Sequence, residues 1–250
     1  MQRFFSSLAI AVGVSLPATF ASAAEPLPEQ RIDGDIGGAI YQARGQAKGA
    51  NSTLVLPYAY FDYGRFLARV DTFGLRTIPM GNGFLEVVGR VSFEGFEGKP
   101  TGLRGINDRS NPLPIGLGSR QHTPIGDFFT YGFHDLVSSG SLVESTYVTE
   151  LKLGQYTLYP QLGIEYRSAR YVRHLYGVSS AESSSSGIAS YSPGASVTPT
   201  LGLAIDIPTG SKWVVTAQWR RKWFDNAVTN SSLTDRKTQD IGYLSLAYRF

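Results

Sequence analysis

Taken two residues at a time, the stretch from Gln239 to Phe250 separates into two sets. Asp240, Gly242, Leu244, Leu246, Tyr248 and Phe250 are mostly apolar and end in two aromatics; Gln239, Ile241, Tyr243, Ser245, Ala247 and Arg249 are smaller or polar and end in an arginine. Alternation with a period of two is the strand signal, because successive side chains leave a strand on opposite faces. The rhythm recurs upstream. Thr53–Phe61 puts Leu54, Leu56, Tyr58 and Tyr60 on one face. Phe84–Phe96 sets Leu85, Val87, Val91 and Phe93 against Glu86, Arg90, Ser92 and Glu94. Val143–Leu153 sets Val143, Tyr147, Leu151 and Leu153 against Glu144, Thr146, Glu150 and Lys152. Leu158–Tyr166 sets Leu158, Leu162, Ile164 and Tyr166 against Gln161, Glu165 and Arg167; Val197–Ile207 sets Leu201, Leu203, Ile205 and Ile207 against Thr198, Thr200 and Asp206. Lys212–Phe224 turns Trp213, Val215, Ala217, Trp219 and Trp223 one way and Lys212, Thr216, Gln218, Arg220 and Lys222 the other, with Arg221 breaking step where a long side chain can reach lipid headgroups.

About ten such residues, tilted, cross a bilayer, so the pattern predicts an all-β chain: a transmembrane antiparallel up-and-down β-barrel. Its first strand is expected to be short, around Ile36, Gly38 and Ile40, with a loop from Tyr41 to Asn51. Topology fixes the count. Short breaks at His122–Gly126, Gly154–Tyr156 and Pro208–Ser211 belong on one side, and the long stretch Phe96–Asn111 on the other. The chain returns to its starting side only if Arg65–Pro79 splits near Asp71 into Arg65–Val70 and Phe73–Pro79. That gives about twelve strands, an even number; ten, or even eight, remain open if Leu113–Gln121 is not a strand. No linker divides the chain, and residues 35–250 read as one barrel domain.

The start of the chain agrees. Arg3, the apolar run Leu8–Leu16 and the small residues Ala21-Ser22-Ala23 read as a cleaved signal peptide, residues 1–23, followed by a periplasmic segment over 24–34. No later run is long and apolar enough for a membrane helix. The chain has no cysteine, so an exported fold needs another source of stability, and closing a barrel removes the sheet edges. Mean hydropathy is −0.10, which a barrel with a polar lumen accommodates. A formal charge of +3 is too small to argue for nucleic acid and fits contact with anionic lipid or glycan.

A final strand closing on an aromatic resembles the bacterial outer-membrane barrels, in which such an ending is read by the assembly machinery; here Tyr248 and Phe250 would carry that signal. The segment Tyr171–Gly194, with Tyr176, Gly177, Val178, Ser179, Glu182, Gly187 and Tyr191, resembles the signature loop of the MipA/OmpV family. The ending Tyr248-Arg249-Phe250, the strand Thr53–Tyr63 with its internal Pro57, and Leu103-Arg104-Gly105 ahead of a strand near Ile115 are similar too. The resemblance covers most of the chain after the leader and is strongest from about Leu136 onward. The first outer loop departs from the family's acidic Tyr-Glu-Gly-Ser type motif, reading Tyr41-Gln42-Ala43-Arg44-Gly45-Gln46. The family implies a non-enzymatic barrel in the outer membrane of a Gram-negative bacterium, without cofactor. It implies contact with outer-membrane lipid, lipopolysaccharide and the barrel assembly machinery. It also implies a scaffold role linking a lytic transglycosylase to a penicillin-binding murein synthase, with peptidoglycan as the setting. A narrow solute channel and a surface adhesin are the alternatives.

Candidate chemistry is sparse. Barrel lipid hydrolases place His-x-Ser on one strand face; His134 is followed by Asp135, Leu136, Val137 and only then Ser138, and His122 and His174 lack the spacing as well. No spacing resembles a metal site or a phosphate-binding glycine loop. The remaining candidates are the charges of the polar faces: Glu86, Arg90, Glu94, Glu144, Glu150, Glu165, Arg167, Lys212, Arg220 and Lys222. Both signs occur in a lumen that twelve strands leave narrow. The expected arrangement is a lumen filled by ion pairs; a mixed-charge pore is the alternative.

Overall fold

The computed structural model describes residues 31–99 and 102–250; the expected signal peptide and residues 24–30 of the expected leading segment lie outside them. Among the described residues thirteen strands form one antiparallel sheet. They are β1 Ile32–Arg44, β2 Asn51–Tyr63, β3 Phe66–Arg69, β4 Thr72–Met80, β5 Gly83–Arg90, β6 Pro114–Thr123, β7 Gly126–Asp135, β8 Ser141–Val148, β9 Leu151–Leu153, β10 Tyr156–Arg167, β11 Ser196–Pro208, β12 Trp213–Trp223 and β13 Thr238–Arg249. β8 and β9 both pair with β10 and continue one another across Thr149 and Glu150, so the wall has twelve staves. It closes where β13 meets β1, with Asp35 opposite Arg249 and Ala43 opposite Ile241. At that seam Gly37 has no room for a side chain: a Cβ there would lie 2.0 Å from the Leu246 carbonyl oxygen.

Period-two alternation sets which face meets lipid. Ile40, Val55, Leu162, Ile164, Leu201, Leu203, Leu244 and Leu246 are exposed on the outside, whereas Ser245, Ala247, Thr216 and Thr198 are buried inside. Trp213, Tyr248 and Phe250 form one aromatic cluster at the end where the chain makes tight turns, with ring centroids 5.6 and 5.0 Å apart. Trp219 and Trp223 lie toward the opposite, long-loop end, where Arg221 and Trp219 both donate to Asp240. Such aromatic belts suit the two membrane interfaces. Among the described residues no helix is long and apolar enough to cross a membrane.

Four expectations shift. β1 starts at Ile32, before the expected boundary at Asp35, and runs to Arg44, so the first strand is long and its loop short. The split near Asp71 is present, but β3 has only four residues and pairs with β2 at Tyr60–Tyr63 alone. The strand expected over Phe84–Phe96 ends at Arg90. The segment Tyr171–Gly194 contains two helices, α1 Ala169–Tyr176 and α2 Ser180–Ser186, and a short α3, Asn226–Thr229, follows β12.

Candidate functional site

The lumen holds a cavity of about 900 Å³. It runs from Asp33, His122, Asp127 and Glu150 at the turn end to Glu94, Arg167 and Tyr171 below the loop end. The inward positions of the strands put charges on its wall, and ion pairs join staves that are not neighbours. Arg90 on β5 makes a two-pronged pair with Glu144 on β8, passing over β6 and β7. Its Nε donates to Thr72 at 2.9 Å, and its guanidinium lies 4.5 Å from the Phe133 ring centroid. Arg220 donates to Gln161 at 2.9 Å. Near the turn end Arg249 spans Asp35 and Asp206, each at 2.7 Å, and Asp62 receives Arg69 and Arg76 at 2.6 and 2.5 Å.

The layer below the loop end is the most enclosed. Arg167 donates to Glu94 at 2.5 Å and Glu165 at 3.0 Å, and Lys222 reaches Glu165 at 2.6 Å. Tyr171 on α1 donates to the second oxygen of Glu94 at 2.7 Å. Glu94 is not on a strand as the sequence pattern implied. After Arg90 the chain leaves the wall, and Phe93 and Glu94 fold back into the lumen, where the Phe93 ring lies 5.8 Å from that of Tyr41.

Above this layer the loops form a core of their own. α1 is amphipathic, and Tyr171, Val172, Leu175 and Tyr176 pack on Phe133, Leu142, Phe224 and Val228. A second cluster joins Ala47, Phe96, Leu103, Ile106, Val178 and Leu233, drawn from separate outer connections. Hydrogen bonds stitch these connections together: Tyr176 to Gln46 at 2.6 Å, Ser231 to the Tyr176 carbonyl at 2.7 Å, Arg109 to the Gly177 carbonyl at 2.9 Å, and Tyr191 to the Ala227 carbonyl at 3.0 Å. Each fully buried Val or Leu contributes about 1.5–3 kcal/mol, so this is a lid with its own packing and not a solvated loop.

The seven signature-loop residues sit in its frame. Tyr176 ends α1 and Gly177 caps it. Val178 bridges to Tyr191. Ser179 and Glu182 form a reciprocal capping box at the start of α2, and Gly187 ends α2 in the left-handed conformation at φ 72°. Glu182 also receives the Asn107 N–H at 3.0 Å and pairs with Arg109 at 2.8 Å.

The ten expected lumen charges divide. Arg90, Glu94, Glu144, Glu165, Arg167, Arg220 and Lys222 gather on the cavity wall. Glu86 is buried beside it and accepts from Tyr131 at 2.7 Å. Glu150 lies at the turn-end rim, 3.3 Å from Lys152. Lys212 is not brought to the lumen: it lies in the turn before β12, with its ammonium 5.4 Å from the Tyr248 ring in the membrane-side aromatic cluster. The histidines stay apart. His122 meets Asp127 at 2.7 Å at the turn end, His134 faces outward and His174 meets the Ser110 carbonyl at 2.9 Å. Strand periodicity missed Arg109, Tyr171, Val172 and Leu175. Helical spacing at 171, 172, 175 and 176 and the Ser179-x-x-Glu182 pattern were the signals that could have found this lid.

A family model described as MltA-interacting protein MipA matches residues 36–250, from inside β1 to the terminal aromatic. The chain belongs to the MipA family. The MltA-interacting proteins of Escherichia coli (strain K12) and Shigella flexneri are each 26% identical to it over 160 residues, covering 62% of this chain and 64% of theirs. The match thus spans just under two thirds of those relatives' length. The "Putative outer membrane protein YiaT" of Escherichia coli (strain K12) is 22% identical over 204 residues, 80% of this chain and 83% of that protein. The MipA match takes in both the wall and the lid, since α1, α2 and the outer connections lie between its limits.

Proposed function

We propose that this chain is a non-enzymatic outer-membrane barrel of a Gram-negative bacterium that acts by binding at the cell envelope and does not conduct solutes. The observation that carries the reading is the sealed loop end: a packed lid over a lumen pinned by Arg90–Glu144 and by the Glu94–Arg167–Glu165–Lys222 layer. Tight turns belong on the periplasmic side in this architecture, so the cavity opens toward the periplasm and the lid faces outward. A relative named as an outer membrane protein supports the location, and the leader residues 1–23 fit export by a cleaved signal peptide.

The relatives named MltA-interacting protein point to a lytic transglycosylase as the partner, with a scaffold role toward a penicillin-binding murein synthase as the extended reading. The periplasmic turns are short, so the contact surface would be their ring together with residues 24–31, ahead of β1. Tyr248, half-buried, and Phe250, exposed, in the terminal aromatic cluster fit the role of assembly signal. The test has two parts. The mature chain, refolded and confirmed by heat-modifiable gel mobility, should give no single-channel steps in a planar bilayer. It should also co-purify with a purified lytic transglycosylase, and less so when residues 24–30 are removed. Discrete steps from the intact chain would overturn the sealed-lumen reading; loss of co-purification alone would remove the partner and leave the barrel.

A further inference from the structure

The wall is incomplete on one side. β2 keeps β1 as a neighbour along its whole length, but β3 meets it only at Tyr60–Tyr63, with one further bond from the Val70 N–H to the Ala59 carbonyl. The β3–β4 hairpin then turns back at Val70-Asp71, so on the side away from β1 residues 51–58 have no stave beside them among the described residues. Ala59 points its backbone groups toward β3; the strand alternates, so Thr53, Val55 and Pro57 point theirs into the same gap.

The cavity reaches the wall at this gap. Along β6 to β13 the strand side chains that line it stand at inward-facing positions. Beside the gap it also touches outward-facing ones: Pro57 and Phe61 on β2, Phe73 on β4, and Val91 just after β5. Phe73 and Val91 are about half exposed, and Val55 on the open edge of β2 is 82% exposed, the most exposed large apolar side chain among the described residues. Asp71 and Val91 bond backbone to backbone at the base of the gap, and the lid closes it above.

We propose that this notch is a lateral portal, occupied by a fatty-acyl chain of a lipid in the leaflet next to the loop end. Three observations choose that occupant. The opening lies in the membrane-facing band, so hydrocarbon and not water is what it meets. Its flanks are apolar, Leu56, Pro57, Phe73, Val91 and Phe93, with Asp71 the one charged group at its base, whereas the cavity beyond is lined by several charges. Pro57 removes an N–H from the middle of the open edge, and proline at that place blocks strand addition, so a second chain cannot zip along β2. The unpaired groups of Thr53 and Val55, nearer the headgroups, can bond the polar part of the same lipid. The inference rests on the membrane-spanning fold and is independent of the scaffold reading.

The absence of cysteine makes the test direct. A nitroxide is placed at Leu56→Cys at the notch, at Ala204→Cys on the lumen wall and at Leu203→Cys on the lipid face, in the full mature chain reconstituted in fatty-acid-free phosphatidylcholine vesicles. Collisions with oxygen report hydrocarbon, and collisions with a nickel chelate report water. The expected result is that the Leu56 label behaves like the Leu203 label, oxygen-rich and shielded from nickel, although its side chain points inward. A Leu56 label as open to nickel as the Ala204 label would overturn the portal. Spin–spin broadening between Val55→Cys labels on separate copies would overturn it as well, because the edge would then be a subunit contact. Should Leu56→Cys not fold, as judged by gel mobility, Phe93→Cys samples the same space and the same two outcomes decide.

Discussion

Glu182 shows how one carboxylate can hold a lid. Burial pushes its pKa up, but the Arg109 guanidinium and the N–H groups of Ser179 and Asn107 outweigh that and bring it to about 2. In a released lid the carboxyl returns to about 4.3. A group whose pKa falls on folding stabilises the fold above its unfolded value, and that contribution fades as the pH drops toward the folded value. The lid should therefore be protected at neutral pH and loosen between about pH 4 and pH 2. Pepsin, active in acid, can report this: cleavage within residues 171–194 should accelerate across that window in the natural chain and be fast throughout it in Glu182→Gln. The capping partner should behave more simply, Ser179→Ala lowering lid stability by about 1 kcal/mol without a pH signature. Arg90 makes the opposite point about buried charge. Arg90→Ala strands Glu144 and should cost about 3–5 kcal/mol in barrel unfolding by urea, whereas removing both charges as Arg90→Met with Glu144→Leu should cost much less than the sum of the singles.

At the scale of elements, the strands were legible because lipid on one side and a polar lumen on the other impose strict alternation. Trp213, Val215, Ala217 and Trp219 could face only one way, and β12 lies almost where the pattern put it. Parity, and no local signal, supplied the division between β3 and β4. Where the wall is interrupted, alternation misleads: Phe93 and Glu94 continue the rhythm of β5, yet the chain has left the sheet after Arg90, because β3 and β4 end early and give it no edge to follow. The lid was legible only as a family likeness. α1 and α2 are short and read as loop beside the strands, and the ion pair from Arg109 to Glu182 joins residues far apart in sequence. Gly187 shows what the likeness encodes. Its φ of 72° closes α2, and a β-branched residue there should cost about 1–2 kcal/mol. Amide exchange in Gly187→Val should rise across residues 180–191 and leave β10 and β11 unchanged.

At the scale of the molecule, two barriers lie in series between the faces of the membrane, the lid and the charged lumen, and they can be separated. The intact chain should be silent in a planar bilayer, and neutralising Arg220 should not change that, since the lid alone blocks passage. Replacing residues 171–194 by a short Gly-Ser connection removes α1 with its apolar face and takes the Tyr171 hydroxyl from Glu94. The twelve staves keep their own hydrogen bonds, so the barrel should still fold and show heat-modifiable mobility, and discrete current steps should now appear. In that background Arg220→Ser should shift selectivity toward cations, because it removes a positive charge from a wall that keeps Glu144 and Glu165. This pair of experiments divides the readings. Current only after lid removal means that the lid is the seal and the barrel works by what it binds. Silence even without the lid would place the block in the Arg90–Glu144 and Arg167–Glu165 layers, and Arg90→Ser added to the lidless chain would then be the change that opens it.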